Sequence, residues 1–297
     1  MNLIEYRNWF FALSLLVIIP GIITLSTWGL KLGIDFAGGT LWEIKFEKEV
    51  NDTQIKSFLT GEGVEFSSVA ETQSNSFLIR LKVSDETKIN DLKSKLGSTF
   101  GTTEDVRLET VGPVISRELT QKAFLAVALS IIGIVVYITW AFRHLPKPAS
   151  SIIFGICTII ALIHDVIVVV GIFAVLGHFF QIEVDALFIT ALLTVIGFSV
   201  HDTIVVFDRI RENLKKFDDV PFEEVVNHSL VQTLGRSLST SLTVVFVLLA
   251  LFLFGGQTIK TFVLALLIGI ISGTYSSIFN ASPLLVVWNK MQNRSKK

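Results

Sequence analysis

Apolar residues along this chain are concentrated in six long runs, and polar residues fill the segments between them. A run of about 20 apolar residues is long enough to cross the hydrocarbon core of a membrane as an α-helix. The pattern therefore predicts six membrane spans, at residues 9–28, 123–142, 152–176, 186–207, 238–254 and 262–288.

The first run has an alternative interpretation as a cleaved signal peptide. It is longer than the ~7–15-residue apolar core of such a peptide, and no small-x-small cleavage site follows it. We therefore expect an uncleaved first span. The chain then divides into an N-terminal tail with span one (1–30), a polar domain (31–121) and a second membrane part (122–297).

The polar domain has the pattern of a small α/β fold. Residues 40–46 alternate apolar and polar side chains, as a half-buried strand does. Strands are also predicted at 64–70, 77–83 and 106–111, and helices at 51–59 and 86–96. The order β-α-β-β-α-β is that of the ferredoxin-like fold, which implies no activity by itself.

Two local signals mark the ends of these elements. Asn51 or Asp52 can cap the first helix, because a short polar side chain can accept a hydrogen bond from the first helical turn. Ser74 and Asn75 predict the turn between the second and third strands.

A charged segment, 208–232, separates spans four and five and is predicted to be helical. Its apolar residues fall on one face, which indicates an amphipathic helix lying along the inner membrane surface. The alternative is a solvated linker. The predicted apolar face consists of Phe222, Val225, Val226, Ser229 and Leu230.

Lysine and arginine in the short loops predict the orientation, because cytoplasmic loops are enriched in both. One side of the membrane has twelve such residues, whereas the other has only Lys260. Both termini are therefore expected in the cytoplasm, and residues 31–121 outside it. The twelve are Arg7, Arg143, Lys147, Arg209, Arg211, Lys215, Lys216, Arg236, Lys290, Arg294, Lys296 and Lys297.

Composition narrows the classes of function. Only 17% of the residues are charged, below the ~25% of an average soluble domain. The net charge of −1 argues against a nucleic-acid partner. Cys157 is the only cysteine, so an internal disulfide and a thiolate metal cluster are excluded. No His-Glu-x-x-His or Gly-x-Ser-x-Gly run indicates an intramembrane hydrolase, and we expect no enzymatic activity and no bound metal.

Ionisable residues inside the predicted spans are the candidates for function. A charged group at mid-membrane costs ~2.5–3.5 kcal/mol or more, so it is retained mainly where it faces protein or water. Span three has His164 and Asp165, and span four has His201 and Asp202. Arg236 stands just before the fifth apolar run.

Depth relates Asp202 to Arg236, since both fall in the cytoplasmic third of neighbouring spans. We expect a buried polar cluster that also includes Ser199, with Thr240 and Thr243 continuing the polar stripe of Arg236. Two interpretations remain. The pair can be a static ion pair that fixes helix register, or Asp202 can bind and release a proton while Arg236 moves relative to it.

Two weaker signals complete the pattern. His164 and Asp165 can join the proton path, although neighbours on a helix point about 100° apart. Span six has small residues at every fourth position, which permits close approach of another helix. The small-residue positions are Gly269, Gly273, Ser277 and Ala281.

Several sequence runs together resemble one family. The runs are GIDFAGG at 33–39, VGP at 111–113, GFSVHDTIVVFDRIREN at 197–213, QTLGR at 232–236, STS at 239–241 and GTYSS at 273–277. They resemble the SecF family, the smaller subunits of SecD–SecF protein-export complexes, over nearly the whole chain. The glycine-rich turns of this motif set contain Gly33, Asp35, Gly38, Gly39, Gly112 and Pro113.

The resemblance implies half of a resistance–nodulation–division transporter unit, paired with a SecD subunit in the cytoplasmic membrane of a prokaryote. It further implies that protons, with no other cofactor, are coupled to export of a preprotein through SecYEG after SecA has acted. The membrane Asp and Arg of the family match Asp202 and Arg236. His201 departs from the family pattern, in which many members have Asn.

Two other functions fit the same physical features. One is a half-size exporter of lipids or drugs built on the same fold. The other is a structural translocon subunit without ion coupling. Protein export that depends on the proton gradient would favour the proton-coupled export subunit over the structural subunit. Small-molecule efflux would favour the exporter.

Overall fold

The computed structural model describes residues 2–73, 75–146, 149–217 and 219–294. Two compact units are present: Met1–Lys31 with Leu125–Lys297, and Leu32–Phe124. Ser74, predicted in a turn, and Lys147, Lys296 and Lys297, counted for the orientation, lie outside the described residues.

The elements follow one another in the predicted order, with some additional short ones. A 3₁₀ turn at Ile4–Tyr6 precedes the first helix, and a π-helical turn at Ser277–Ala281 follows the ninth. The elements are α1 Arg7–Trp28, α2 Ile34–Ala37, β1 Gly39–Phe46, α3 Asp52–Gly61, β2 Phe66–Gln73, β3 Ser76–Leu81, α4 Glu86–Phe100, β4 Thr103–Val111, α5 Pro113–Ala141, α6 Ser151–Phe180, α7 Ala186–Lys216, α8 Phe222–Phe254, α9 Gln257–Ser276 and α10 Ser282–Arg294.

Among the described residues, six helices are long and apolar enough to cross a membrane, which confirms the predicted number of spans. Spans one to five are formed by α1, α5, α6, α7 and α8, and span six by α9, the π turn and α10. Several helices extend beyond the apolar runs, since hydropathy detects only the apolar part of a helix. α5 begins at Pro113, where the fixed φ of proline suits the first helical position.

The charged segment between spans four and five differs from its prediction. α7 continues to Lys216 and α8 already begins at Phe222, so the segment forms the ends of two membrane helices. Val225, Val226 and Leu230 are buried in the helical core. The prediction of an amphipathic helix on the membrane surface is therefore wrong, because this apolar face is covered by protein.

One glutamate joins the ends of three spans. Glu223 at the start of α8 lies 2.6 Å from the guanidinium of Arg7 and 2.5 Å from the ammonium of Lys290. The beginning of span one and the end of span six therefore lie at the same end of the helical bundle.

The polar unit contains a four-stranded antiparallel sheet in the order β2-β3-β1-β4. One face of the sheet, including Trp42, Ile44 and Phe77, packs against α3 and α4 through Ile55 and Leu96. This arrangement confirms the ferredoxin-like fold.

The limits of the polar-unit elements differ slightly from the sequence-based limits. Asn51, and not Asp52, caps α3: its side chain accepts a hydrogen bond from the backbone N–H of Gln54 at 2.9 Å. Gln54 accepts one from the N–H of Asn51 at 3.0 Å, which completes a capping box.

The glycine-rich turn before β1 has a steric role. Gly38 and Gly39 have φ angles of 76° and 124°, which residues with a side chain rarely adopt. A Cβ on Gly39 would lie only 2.3 Å from the carbonyl oxygen of Leu81. Glycine thus allows β1 to begin directly beside the end of β3.

The other residues of the glycine-rich motifs lie at the starts of α2 and α5. Gly33 is the N-cap of α2 and accepts a hydrogen bond from the N–H of Ala37 at 2.9 Å, and Asp35 lies in the first turn of that helix. The carbonyl of Gly112 accepts a hydrogen bond from the N–H of Ser116 at 3.0 Å, at the start of α5.

Candidate functional site

Span six packs against span four at very short distance. A Cβ on Gly273 would lie 2.9 Å from the Cβ of Ser199, and one on Gly269 would lie 2.2 Å from a methyl group of Val195. The hydroxyl of Ser277 donates to the carbonyl of Ser199 at 2.9 Å. The small-residue ridge of span six therefore faces span four of the same chain.

Asp165 of span three is fully buried, and its carboxylate is surrounded by donors from three spans. His164 Nδ1 lies 3.0 Å from Oδ1. Ser199 Oγ donates to Oδ2 at 2.5 Å, Ser272 Oγ to Oδ1 at 3.0 Å and Ser276 Oγ to Oδ2 at 2.7 Å. Three serine hydroxyls thus donate to this carboxylate, which has about four acceptor positions.

Asp202 of span four is also buried, with 3% of its surface exposed, but its surroundings differ. Its only hydrogen bonds within the described chain are long: Ser241 Oγ lies 3.4 Å and Thr274 Oγ1 3.5 Å from Oδ2. These two hydroxyls lie 2.6 Å from each other. The two hydroxyls are thus much closer to each other than to Asp202, which is buried with only weak hydrogen bonds.

Arg236 does not join Asp202. Its side chain is exposed on α8, and its guanidinium has no hydrogen bond or ion pair within the described part of the chain. Thr240 and Thr243 are exposed as well, and each donates to a carbonyl of its own helix. The predicted polar stripe therefore exists, but it faces outward and not toward Asp202.

The two candidate histidines differ in burial. His164 is buried, and its ring centre lies 6.2 Å from that of Tyr275. His201 is exposed on the surface of α7, although it is the direct neighbour of Asp202. Of the residues predicted for the proton path, which all lie in the described part of the chain, His164, Asp165 and Ser199 are brought together through their side chains.

Four hydroxyl donors were not singled out from the sequence. Serine and threonine are common in membrane helices, where they can bond their own backbone, so the residue type alone is a weak signal. For the three donors of span six, the available signal was their concentration next to its glycine ridge, and the fourth lies in span five. The donors are Ser241, Ser272, Thr274 and Ser276.

The π turn of span six was also missed. It occupies Ser277–Ala281, directly after the last hydroxyl that contacts Asp165. Such turns are rare and are frequent at functional sites. No hydropathy pattern distinguishes a π turn from regular α-helix.

Comparisons with known proteins agree with the fold. The family model "Protein export membrane protein SecD/SecF, C-terminal" matches residues 91–291, and the "SecD/SecF GG Motif" matches residues 25–50. The protein translocase subunit SecF of Thermobaculum terrenum is 52% identical over 97% of this chain and 94% of its own length. SecF of Anaerolinea thermophila is 43% identical over 99% and 96%.

Solved structures show the same similarity. SecDF from Thermus thermophilus, a translocon-associated membrane protein, superposes with a TM-score of 0.83 at 36% identity, over 98% of this chain and 39% of that one. A second SecDF structure, in a super-membrane-facing form, gives 0.71 at 34% identity, over 100% and 40%. This chain thus spans about two fifths of SecDF. By its motifs, its fold and these relatives, the chain belongs to the SecD/SecF family of protein export membrane proteins, on the SecF side.

Proposed function

We propose that this chain is the SecF-type subunit of a Sec translocation machinery and that, with a SecD-like subunit, it couples proton movement to late steps of preprotein export. Relatives named protein translocase subunit SecF support the role in translocation. The proton is the only coupling ligand proposed, and the subunit performs no chemical catalysis.

The observation that carries the proton role is the state of Asp202. It is buried in span four, yet its carboxylate has only two long hydrogen bonds, from hydroxyls that bond one another. A buried carboxylate without strong donors changes its protonation state readily when a charge or a donor approaches. The static ion-pair interpretation is less well supported, since no contact joins Asp202 to Arg236.

The position of Arg236 supports a SecD-like partner. A guanidinium exposed on a membrane helix is costly unless a neighbouring protein or water contacts it. SecDF chains contain further sequence beyond the two fifths that this chain spans. We infer that a SecD-like subunit covers the outward face of α8 and places a polar or anionic group near Arg236.

The same proposal includes the membrane in which the complex lies, its orientation and its further partners. It lies in the cytoplasmic membrane, with both termini in the cytoplasm and residues 31–121 outside. The distribution of lysine and arginine supports this orientation. SecYEG, SecA and the translocating preprotein are the further partners that the family resemblance implies.

The proposal is tested by export of a reporter preprotein in proteoliposomes, with and without a proton gradient, normalised to folded complex. Asp202→Asn removes titration and keeps the size and hydrogen-bonding capacity of the side chain. The complex should assemble, and gradient-stimulated export should be lost. Asp208→Asn is the matched control, because Asp208 lies on the same helix but is exposed.

A double variant distinguishes proton transfer from a structural pair. If Asp202 and Arg236 formed only a static pair in the assembled complex, removing one partner would cost ~3–5 kcal/mol. Asp202→Asn with Arg236→Gln would then restore expression and export together. Under the proposal the double variant restores expression at most. Gradient-stimulated export by the double variant would remove Asp202 from the proton path.

A further inference from the structure

One helix of span six contacts both buried carboxylates. α9 provides Ser272 and Ser276, which donate to Asp165 of span three. The same helix provides Thr274, whose hydroxyl lies 3.5 Å from Asp202 of span four. α9 thus supplies hydroxyl groups to the surroundings of both carboxylates.

Helical geometry places the two carboxylates on opposite sides of α9. Successive residues are turned by about 100°, so Ser272 and Ser276 are about 40° apart and share one side. Thr274 lies about 200° from Ser272 and faces the other side. A rotation or a lateral shift of α9 toward one carboxylate therefore moves its hydroxyls away from the other.

The structure shows α9 engaged on one side only. On the Asp165 side the two serine contacts are 3.0 and 2.7 Å long. On the Asp202 side the threonine contact is 3.5 Å, while the same hydroxyl lies 2.6 Å from Ser241 and 2.9 Å from the carbonyl of Ile270. Either hydroxyl can donate in the contact with Ser241. The one hydroxyl proton of Thr274 cannot serve both the carbonyl of Ile270 and Asp202, so Thr274 is not committed to Asp202 here.

The structure around α9 permits a small movement. The π turn at Ser277–Ala281 interrupts the regular α-helical hydrogen bonds directly after α9, and helices bend at such turns. Toward span four, Gly273 presents no side chain, so the contact surface there is the backbone of α9 against Ser199.

Few charged groups face the two carboxylates. Among the residues that the structure describes, His164 is the one titratable side chain bonded to Asp165, and Tyr275 of α9 lies beside His164. Within the described ranges, the side-chain hydrogen bonds of Asp202 come from hydroxyls of α8 and α9, while its neighbour His201 is exposed. In the described part of the chain, no lysine or arginine bonds to either carboxylate.

We propose that α9 couples the two carboxylates: Asp165 holds it in this structure, and an ionised Asp202 draws it in the opposite direction. Asp165, Ser272 and Ser276 are then positioning residues that set how readily Asp202 ionises. A proton on Asp202 leaves α9 on the Asp165 side, and loss of that proton favours the shift. This inference rests on the proposed proton role of Asp202.

The test is the pH dependence of gradient-stimulated export by the complex with its SecD-like partner in proteoliposomes. Thr274→Val removes the donor on the Asp202 side at nearly constant volume. We expect the pH of half-maximal stimulation to rise by about one unit, because a hydrogen bond to a charged group stabilises the ionised form by about that amount. Ser272→Ala releases α9 from Asp165, and the half-maximal pH should fall.

The control is Thr158→Val, because Thr158 is buried and its hydroxyl donates only to the carbonyl of Phe154 in its own helix. The half-maximal pH should not change in this variant. Ser276→Ala should act like Ser272→Ala, and if it fails to fold, the Ser272 variant alone decides. A lower amount of folded complex changes the amplitude but not the half-maximal pH.

The outcomes separate this inference from the proposed function. Opposite shifts for Thr274→Val and Ser272→Ala support coupling through α9. A shift for Thr274→Val with an unchanged half-maximal pH for the serine variants would overturn the coupling and leave the proton role of Asp202 intact. An unchanged half-maximal pH for Thr274→Val would also overturn the coupling. Gradient-stimulated export by Asp202→Asn would overturn the proposed function itself.

Discussion

Gly273 of span six and Ser199 of span four are in direct contact, so that a Cβ on the glycine would lie 2.9 Å from the Cβ of the serine. Ser199 also donates to Asp165 at 2.5 Å. This close helix contact is therefore adjacent to the buried carboxylate, and packing and hydrogen bonding depend on the same helix separation.

We expect Gly273→Leu to push spans four and six apart and to destabilise the protein by about 3 kcal/mol, the upper part of the usual range for overpacking. The thermal midpoint of the purified protein in detergent measures the effect. Gly133→Leu is the control, since nothing lies within 4 Å of a Cβ at Gly133 of α5. Equal midpoints for the two variants would contradict the contact between spans four and six.

Gly39→Ala should destabilise the polar unit. The new Cβ would meet the carbonyl oxygen of Leu81 at 2.3 Å, and the φ angle of 124° is strained for alanine. A strained backbone position costs about 1–3 kcal/mol.

Gly97→Ala is the matched change for this prediction. Gly97 lies within helix α4 with no atom within 4 Å of an added Cβ, so alanine should stabilise the helix by up to about 1 kcal/mol. Proteolysis of the polar unit in the intact protein measures both variants. Faster cleavage of the Gly97 variant than of the Gly39 variant would refute the steric explanation.

Arg236→Gln should weaken association with the SecD-like subunit. If the partner provides an anionic group, removal of one member of a buried charge pair costs about 2–5 kcal/mol. Recovery of the partner with the tagged chain should then fall at least about tenfold.

Arg143→Gln is the control for assembly, because Arg143 is exposed in the turn after α5 and its guanidinium lies 4.6 Å from the ring centre of Trp140 near the end of that helix. This variant should recover the partner as the unchanged chain does. Undiminished recovery by the Arg236 variant would place the partner surface elsewhere on the bundle.

The orientation can be tested with single cysteines in a Cys157→Ala background. Lys45→Cys is exposed on β1, and Asp219→Cys is exposed between spans four and five. In cells without an outer barrier, an impermeant maleimide should label residue 45, and residue 219 only after the membrane is broken. The reverse pattern would overturn the proposed orientation.

The sequence alone determined the six spans and the order of elements in the polar unit. Both are local properties: twenty apolar residues in a row favour a membrane helix, and alternation favours a strand, whatever the neighbours are. The limits of the helices were less accessible, because α5 and α8 begin in polar sequence that hydropathy does not detect. The face of residues 222–230 was recognised, but not what covers it.

Only the tertiary structure decided how the two buried carboxylates differ. Asp165 and Asp202 look alike in the sequence, each preceded by a histidine within an apolar run. Their donors come from helices far away along the chain: Ser272 and Ser276 are 107 and 111 residues from Asp165. The rotation of each helix about its axis, which turns Asp202 inward and Arg236 outward, is set by packing against neighbouring helices. Depth in the membrane relates two residues, but packing determines whether they meet.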